Sequence, residues 1–154
     1  MPRYYFDTSA LVKRYHTEIG TSEIQRLFSV PGAECIISRL ATVEMISGFA
    51  GKVRTGGFSS TAFPRLRSQF LADVKKRVVR PVRILNAHYL LAGDLISKHG
   101  MSRQLRTLDA IQLAVALHLY QAAPFDQFIC ADQRLCDVAE DHLEAPQSAA
   151  SLGR

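Results

Sequence analysis

The chain has 154 residues, 47% of them hydrophobic, and a formal net charge of +5. That length fits one domain able to bury a core without disulfides or a structural metal. No run approaches the roughly 18 apolar residues that a membrane span needs, and no basic segment leads into an apolar signal core at the N-terminus, so a cytoplasmic protein away from membranes is expected.

Tyr4, Tyr5 and Phe6 form a short aromatic run bounded by Pro2 and Asp7, the pattern of a buried strand in a parallel sheet. Asp7 then sits at the end of that strand, where ligands collect in open α/β sheets. Asp7 or Ser9 equally suits the cap of the helix that follows. Residues 10–15 can start a helix, and 22–28 place Ile24, Leu27 and Phe28 at helical spacing before Pro31-Gly32 breaks the chain. Cys35-Ile36-Ile37 reads as a second strand, with Ser38 as N-cap of a helix to about residue 54. This βαβ alternation predicts an α/β fold with a parallel sheet.

Leu40, Val43, Ile46, Phe49, Ala50 and Val53 give that helix an apolar face, and Glu44 is its only acid. Ser47 and Gly48 beside Glu44 leave room for close approach. Ser59-Ser60 can cap a helix over 61–79, in which Pro64 falls near the first turn. Phe63, Leu66, Phe70, Val74 and Val78 form its stripe, flanked in solvent by Arg67, Lys75, Lys76 and Arg77. From Lys52 to Arg83 the bases are opposed only by Asp73, whereas acids dominate after Asp126. Such a basic stretch suits either a solvated helix face or a phosphate backbone.

Residues 82–85 form the next predicted strand, with Asn86 capping a helix over 87–99 that Gly100 stops. A nearly all-apolar helix over 105–120 carries Asp109 in its first turn, and Gln112 and Ala116 share the face of Asp109. A helix this apolar is covered on most sides, so its leading carboxylate is expected to line a cleft. Phe128-Ile129-Cys130 is the last clear strand, and Asp132 can cap a helix over 133–142. One domain over 1–146 is expected, with 147–154 a frayed tail or a short edge segment. The five histidines lack ligand-like spacing and suit surface or core-edge roles. Cys35, Cys130 and Cys136 form no Cys-x-x-Cys pair and are expected to be reduced and structural.

Asp7 and Asp132 follow strands, Asp109 starts a helix and Glu44 lies in a helix after a strand, so a parallel sheet can bring all four to one rim. Four such carboxylates repel unless a cation shares them. All-oxygen donors favour Mg²⁺ or Mn²⁺ over zinc. Beside a basic surface this set suits metal-assisted phosphodiester hydrolysis.

The ordered segments Tyr-Phe-Asp-Thr-Ser-Ala-Leu-Val-Lys, Thr-Val-Glu, Leu-Arg-Thr-Leu-Asp-Ala-Ile-Gln-Leu-Ala and Ile-Cys-Ala-Asp-Gln-Arg-Leu resemble a PIN-domain ribonuclease of the VapC toxin type. The resemblance extends from Tyr4 to about Pro146. It implies a three-layer α/β/α sandwich with a central parallel sheet, a Mg²⁺- or Mn²⁺-dependent endoribonuclease, a homodimer and a cognate antitoxin that plugs the active site. It also implies metal ligation by Asp7, Asp109 and Asp132, with Glu44 a further ligand or the holder of the attacking water. Ser9 matches the hydroxyl that supports the first acid. Arg106 and the Lys75, Lys76 and Arg77 cluster are candidates for RNA contacts. Two positions depart from the pattern: Cys130 replaces a common hydroxyl, and Gln112, where a histidine is common, receives no role.

Other readings compete. A haloacid dehalogenase-type phosphatase needs a second acid two positions after the first, where this chain has Ser9. A catalytically silent RNA- or protein-binding domain and a housekeeping RNA-processing nuclease remain as alternatives.

Overall fold

A computed structural model describes residues 1–143 and the backbone of 149–151. Its strands are β1 (Arg3–Phe6), β2 (Glu34–Ser38), β3 (Arg80–Val82), β4 (Gln127–Cys130) and β5 (Ala149–Ser151). Its helices are α1 (Thr8–Leu11), which continues as a 3-10 turn over Val12–Arg14, then α2 (Thr21–Ser29), α3 (Ala41–Arg54), α4 (Ala62–Lys75), α5 (Asn86–Arg103), α6 (Thr107–Ala122) and α7 (Gln133–Glu140).

Successive strand residues face opposite sides of a sheet, and here that alternation divides the core in two. Tyr5, Ile36, Phe128 and Cys130 pack with residues of α5, α6 and α7. Tyr4, Phe6, Cys35, Ile37 and Ile129 pack with residues of α1, α2, α3 and α4. The result is a three-layer α/β/α sandwich around a sheet buried on both faces. α6 lies deepest among the helices, with every residue from Ala110 to Leu117 buried except partly exposed Ile111.

The strands are all parallel, in the order β3-β2-β1-β4-β5. The chain therefore winds outward from β1 through β2 to β3, then crosses back to lay β4 on the other side of β1. The reversal opens a crevice at the carboxyl ends of β1 and β4, the place where doubly wound sheets bind ligands. Asp7 directly follows β1, and Asp132 follows β4 with only Ala131 between.

Several boundaries differ from the sequence reading. β3 spans Arg80–Val82 rather than 82–85, because Pro81 is acceptable on an edge strand whose missing N–H faces no neighbour. α4 ends at Lys75 rather than near 79. Arg77 takes a left-handed φ of 61°, and the amides of Arg77 and Val78 donate to the carbonyls of Val74 and Asp73, a Schellman closure. α5 runs through Gly100 to Arg103 and stops where Gln104 turns left-handed. The buried face of α3 is Ala41, Met45 and Phe49, and Val43 is exposed. On α5 the buried positions are His88, Ala92, Leu95 and His99, whereas Tyr89 and Leu90 face outward.

His88 and His99 are core-edge residues bonded through ring nitrogens to His118 and His142. Cys130 and Cys136 correct the expectation of unpaired thiols: both are fully buried, with Cα atoms 6.2 Å apart and sulfurs within bonding distance. Ala149–Ser151 forms the edge strand beside β4. Positions 144–148 and 152–154, including the expected domain boundary at 146, lie outside the described residues. Among the described residues no helix is long and apolar enough to cross a membrane.

Candidate active site

Asp7 is fixed by the strand that precedes it. Its backbone N–H donates to the Ile129 carbonyl at 2.8 Å, extending the pairing of β1 with β4 by one residue. An extended backbone (φ −75°, ψ 155°) then turns the chain into α1, and the side chain caps that helix. Asp7 Oδ2 accepts from Ser9 N at 3.0 Å and from Ser9 Oγ at 2.6 Å. Ser9 Oγ also accepts from Ala131 N at 3.0 Å, so one hydroxyl ties the ends of β1 and β4 together. Asp7 is only 4% exposed. Burial pushes its carboxyl from an ordinary 3.8 to about 6, against the pull of the two Ser9 hydrogen bonds, and the charges of Asp109 and Glu44 add to the rise.

Glu44 stands in the first turn of α3, where a carboxylate also gains from the helix dipole. Its Oε2 accepts from Thr8 Oγ1 at 2.8 Å and from Gln112 Nε2. Gln112 Nε2 donates a second bond to Thr8 Oγ1 at 2.9 Å, and Ser38 Oγ donates to Gln112 Oε1. Tyr5 OH donates to the Gln112 carbonyl at 3.1 Å. Gln112 is completely buried and joins α6, β2 and α3 behind the acids. The sequence reading gave it no role. The usable signal was a lone amide among the buried apolar residues of α6, since a buried amide must find partners.

Asp109 lies in the first turn of α6, and Asp132 caps α7 by accepting from Arg134 N at 2.9 Å. Arg106 bridges them: its Nε donates to Asp109 Oδ2 at 3.0 Å and its Nη2 to Asp132 Oδ2 at 3.4 Å. Asp7, Thr8, Ser9, Glu44, Ser47, Arg106, Leu108 and Asp109 line one cleft of about 240 Å³. Three of the four predicted acids thus share a cleft, and Asp132 reaches it through Arg106.

Lys75, Lys76 and Arg77 are exposed around the end of α4 and do not line the cleft. Cys130 Sγ lies 3.6 Å from the Asp132 carbonyl, and paired with Cys136 it has no hydrogen with which to replace the common hydroxyl. Ser47 was seen in the sequence only as a small neighbour of Glu44, yet it lines the cleft.

The donor set in the cleft is all oxygen, suited to a hard divalent cation. Among the described residues, however, no three His, Cys, Asp or Glu side chains converge closely enough to hold a metal ion. Each carboxylate is instead turned toward a protein donor: Asp7 to Ser9, Glu44 to Thr8 and Gln112, Asp109 and Asp132 to Arg106.

No curated protein matches the chain. The PIN domain family matches residues 4–141, a span that holds β1 except Arg3, β2 to β4, helices α1 to α7 and the four acids. PIN domains are generally nucleases and typically use divalent metal ions. With that match over most of its length, the chain belongs to the PIN domain family.

Proposed function

We propose that this protein is a metal-dependent endoribonuclease that acts as the toxin of a toxin and antitoxin pair. The observation that carries the catalytic part is Asp7, buried at the β1/β4 crevice with Glu44 and Asp109 lining the same cleft. A bound Mg²⁺ or Mn²⁺ supplies charge neutralisation at the phosphoryl group and a more acidic water. Asp7, Asp109 and Asp132 would hold the ion, each already anchored at the boundary of a strand or a helix. Ser9 keeps Asp7 aimed into the cleft. Glu44, held by Thr8 and Gln112, would complete the ligand set or orient the attacking water and take its proton.

RNA is favoured as substrate because the chain carries a net charge of +5, which attracts a phosphate backbone. The same reading carries a homodimer and an antitoxin protein that plugs the cleft, where half-exposed Leu108 offers an apolar contact. A catalytically silent RNA-binding domain is the second reading, drawn from the carboxylates that are all turned to protein donors. Incubating the purified chain, freed of any bound protein, with structured RNA separates the two. Cleavage that needs Mg²⁺ or Mn²⁺ and stops with EDTA supports the enzyme, and RNA binding without cleavage supports the silent domain.

A further inference from the structure

The edge strand β3 ends beside β2 where two like charges meet. The register pairs Ser38 with Val82, and the amide of Arg39 donates to the Val82 carbonyl at 2.7 Å, so Arg39 and Arg83 are the next residues of two neighbouring strands. Both are exposed, and among the described residues neither is in an ion pair. Like charges so placed repel unless an anion lies between them. Arg83 also lines a cavity of about 270 Å³ walled by Val82, Leu85, Val115 and Leu119, together with His88 and His118. The histidine hydrogens are fixed by their neighbours. Burial lowers the His88 pKa, with the charge of His118 adding to the effect, so the ring is neutral. Leu85 N donates to His88 Nδ1 at 2.9 Å, which puts the His88 hydrogen on Nε2, and this nitrogen donates to His118 Nδ1 at 2.7 Å. A neutral His118 then carries its own hydrogen on Nε2, and among the described residues no acceptor meets it.

We propose that Arg39, Arg83 and this cavity form a nucleotide subsite: the two guanidinium groups hold a phosphate of single-stranded RNA, and the attached base leaves its stack to enter the cavity. The inference rests on RNA as the substrate and is independent of any metal. Guanidinium forks match phosphate oxygens, and the arginines favour a polyanion over an apolar protein surface as occupant. Single-stranded RNA is read through unstacked bases laid against side chains and bonded along their edges. The cavity offers both, with aliphatic walls for the ring faces and His118 Nε2–H for an acceptor on the edge. Its volume falls just below the roughly 300 Å³ at which drug-sized ligand sites begin, so it suits one base. The subsite also lies close to the active cleft. Val115 follows Asp109 by six residues on α6, about 9 Å of helix, and Val82 pairs with Ser38, whose hydroxyl bonds Gln112 behind Glu44. A base held here sets which phosphate reaches the acids, so the subsite selects the position of cleavage.

Binding of a short fluorescein-labelled oligouridylate to the full chain, followed by anisotropy in EDTA across salt concentrations, tests the subsite without cleavage. Arg39→Gln combined with Arg83→Gln should weaken binding and flatten the logarithmic salt dependence by roughly 0.7, the loss of one phosphate contact to a single strand. Ala122→Trp, at an exposed position on the cavity wall, fills the cavity and should weaken binding roughly fivefold or more with the salt slope unchanged. Urea unfolding checks that both variants are folded. An unchanged slope in the double variant, or unchanged affinity in folded Ala122→Trp, overturns the subsite. So does a change of oligomeric state in Ala122→Trp, read by analytical ultracentrifugation, with oligouridylate binding intact, because the cavity then docks a second copy of the chain. If wild type binds no oligouridylate, the RNA reading falls and the subsite falls with it. Absence of cleavage with Mn²⁺ alongside the predicted binding results overturns the metal-dependent reading alone and leaves the subsite supported.

Discussion

Gln112 on α6 donates to the carboxylate of Glu44 on α3, so the deepest helix of the fold sets the direction of an acid on the opposite side of the sheet. The amide is saturated: it also donates to Thr8 and accepts from Ser38. A leucine of similar size at this position would leave Ser38 and Glu44 short of partners. Gln112→Leu should therefore cost about 1–3 kcal/mol of stability and lower RNA cleavage by roughly 10- to 100-fold, the range for partners that orient ligands. Urea unfolding and cleavage assays measure the two effects. Unchanged cleavage in a destabilised variant would confine Gln112 to a folding role.

Asp7 makes the metal-free fold sensitive to pH. Its folded value, about 6, lies above its ordinary 3.8, so the folded state binds a proton more readily than the unfolded one. The stabilisation linked to that proton is complete below pH 4 and is lost as pH rises through 6. Asp7→Asn removes the titration while keeping an oxygen for Ser9. In EDTA the variant should be more stable than wild type at pH 8, by about 3 kcal/mol at most. The gap should close toward pH 4. Parallel stability curves for the two proteins between pH 4 and 8 would count against the burial of an ionised Asp7.

Ser9 joins two strand ends through one oxygen, donating to Asp7 and accepting from Ala131 N. Ser9→Ala strips a buried carboxylate and a backbone amide of a partner at once. The expected loss is about 1–3 kcal/mol, read by chemical denaturation. Removing the hydroxyl also removes a contact that favours ionised Asp7, so the acid limb of the cleavage profile should move to higher pH. An acid limb that stays in place would show that Ser9 acts on strand docking alone.

Expression in a bacterial host tests the toxin part of the proposal. Wild-type chain should arrest growth, and Asp109→Asn should relieve the arrest at equal protein level, measured by colony counts and immunoblot. Harmless wild-type expression would favour a housekeeping nuclease or a silent domain.

Much of the architecture is legible because it rests on short-range pattern. The aromatic run Tyr4 to Phe6 is followed at once by Asp7, and both faces of that strand are buried, as a continuous apolar strand implies. The apolar helix with Asp109 at its head is equally plain. What escaped depends on tertiary packing. Gly100 reads as a helix stop, yet the turn around it is held by buried His99, bonded to His142, which offsets the roughly 1 kcal/mol that glycine costs in a helix. Pro81 hides an edge strand, since only the sheet order shows that its missing donor is not needed. Val43 and Met45 are both apolar and two positions apart, and only the packed structure decides that Met45 faces inward. In the site, the acids announce themselves by type and position. Gln112, the Cys130 and Cys136 pairing and the Arg106 bridge each join residues distant in sequence or in element, which spacing alone does not encode.

The most direct measurement of the central claim compares wild type with Asp7→Asn in cleavage of a structured RNA, each with Mn²⁺ and with EDTA. Asp7 is the buried acid at the β1/β4 crevice, and the variant preserves its shape and its Ser9 contacts. The account predicts cleavage only by wild type and only with Mn²⁺. Cleavage by Asp7→Asn at the wild-type rate, or cleavage that persists in EDTA, would contradict it.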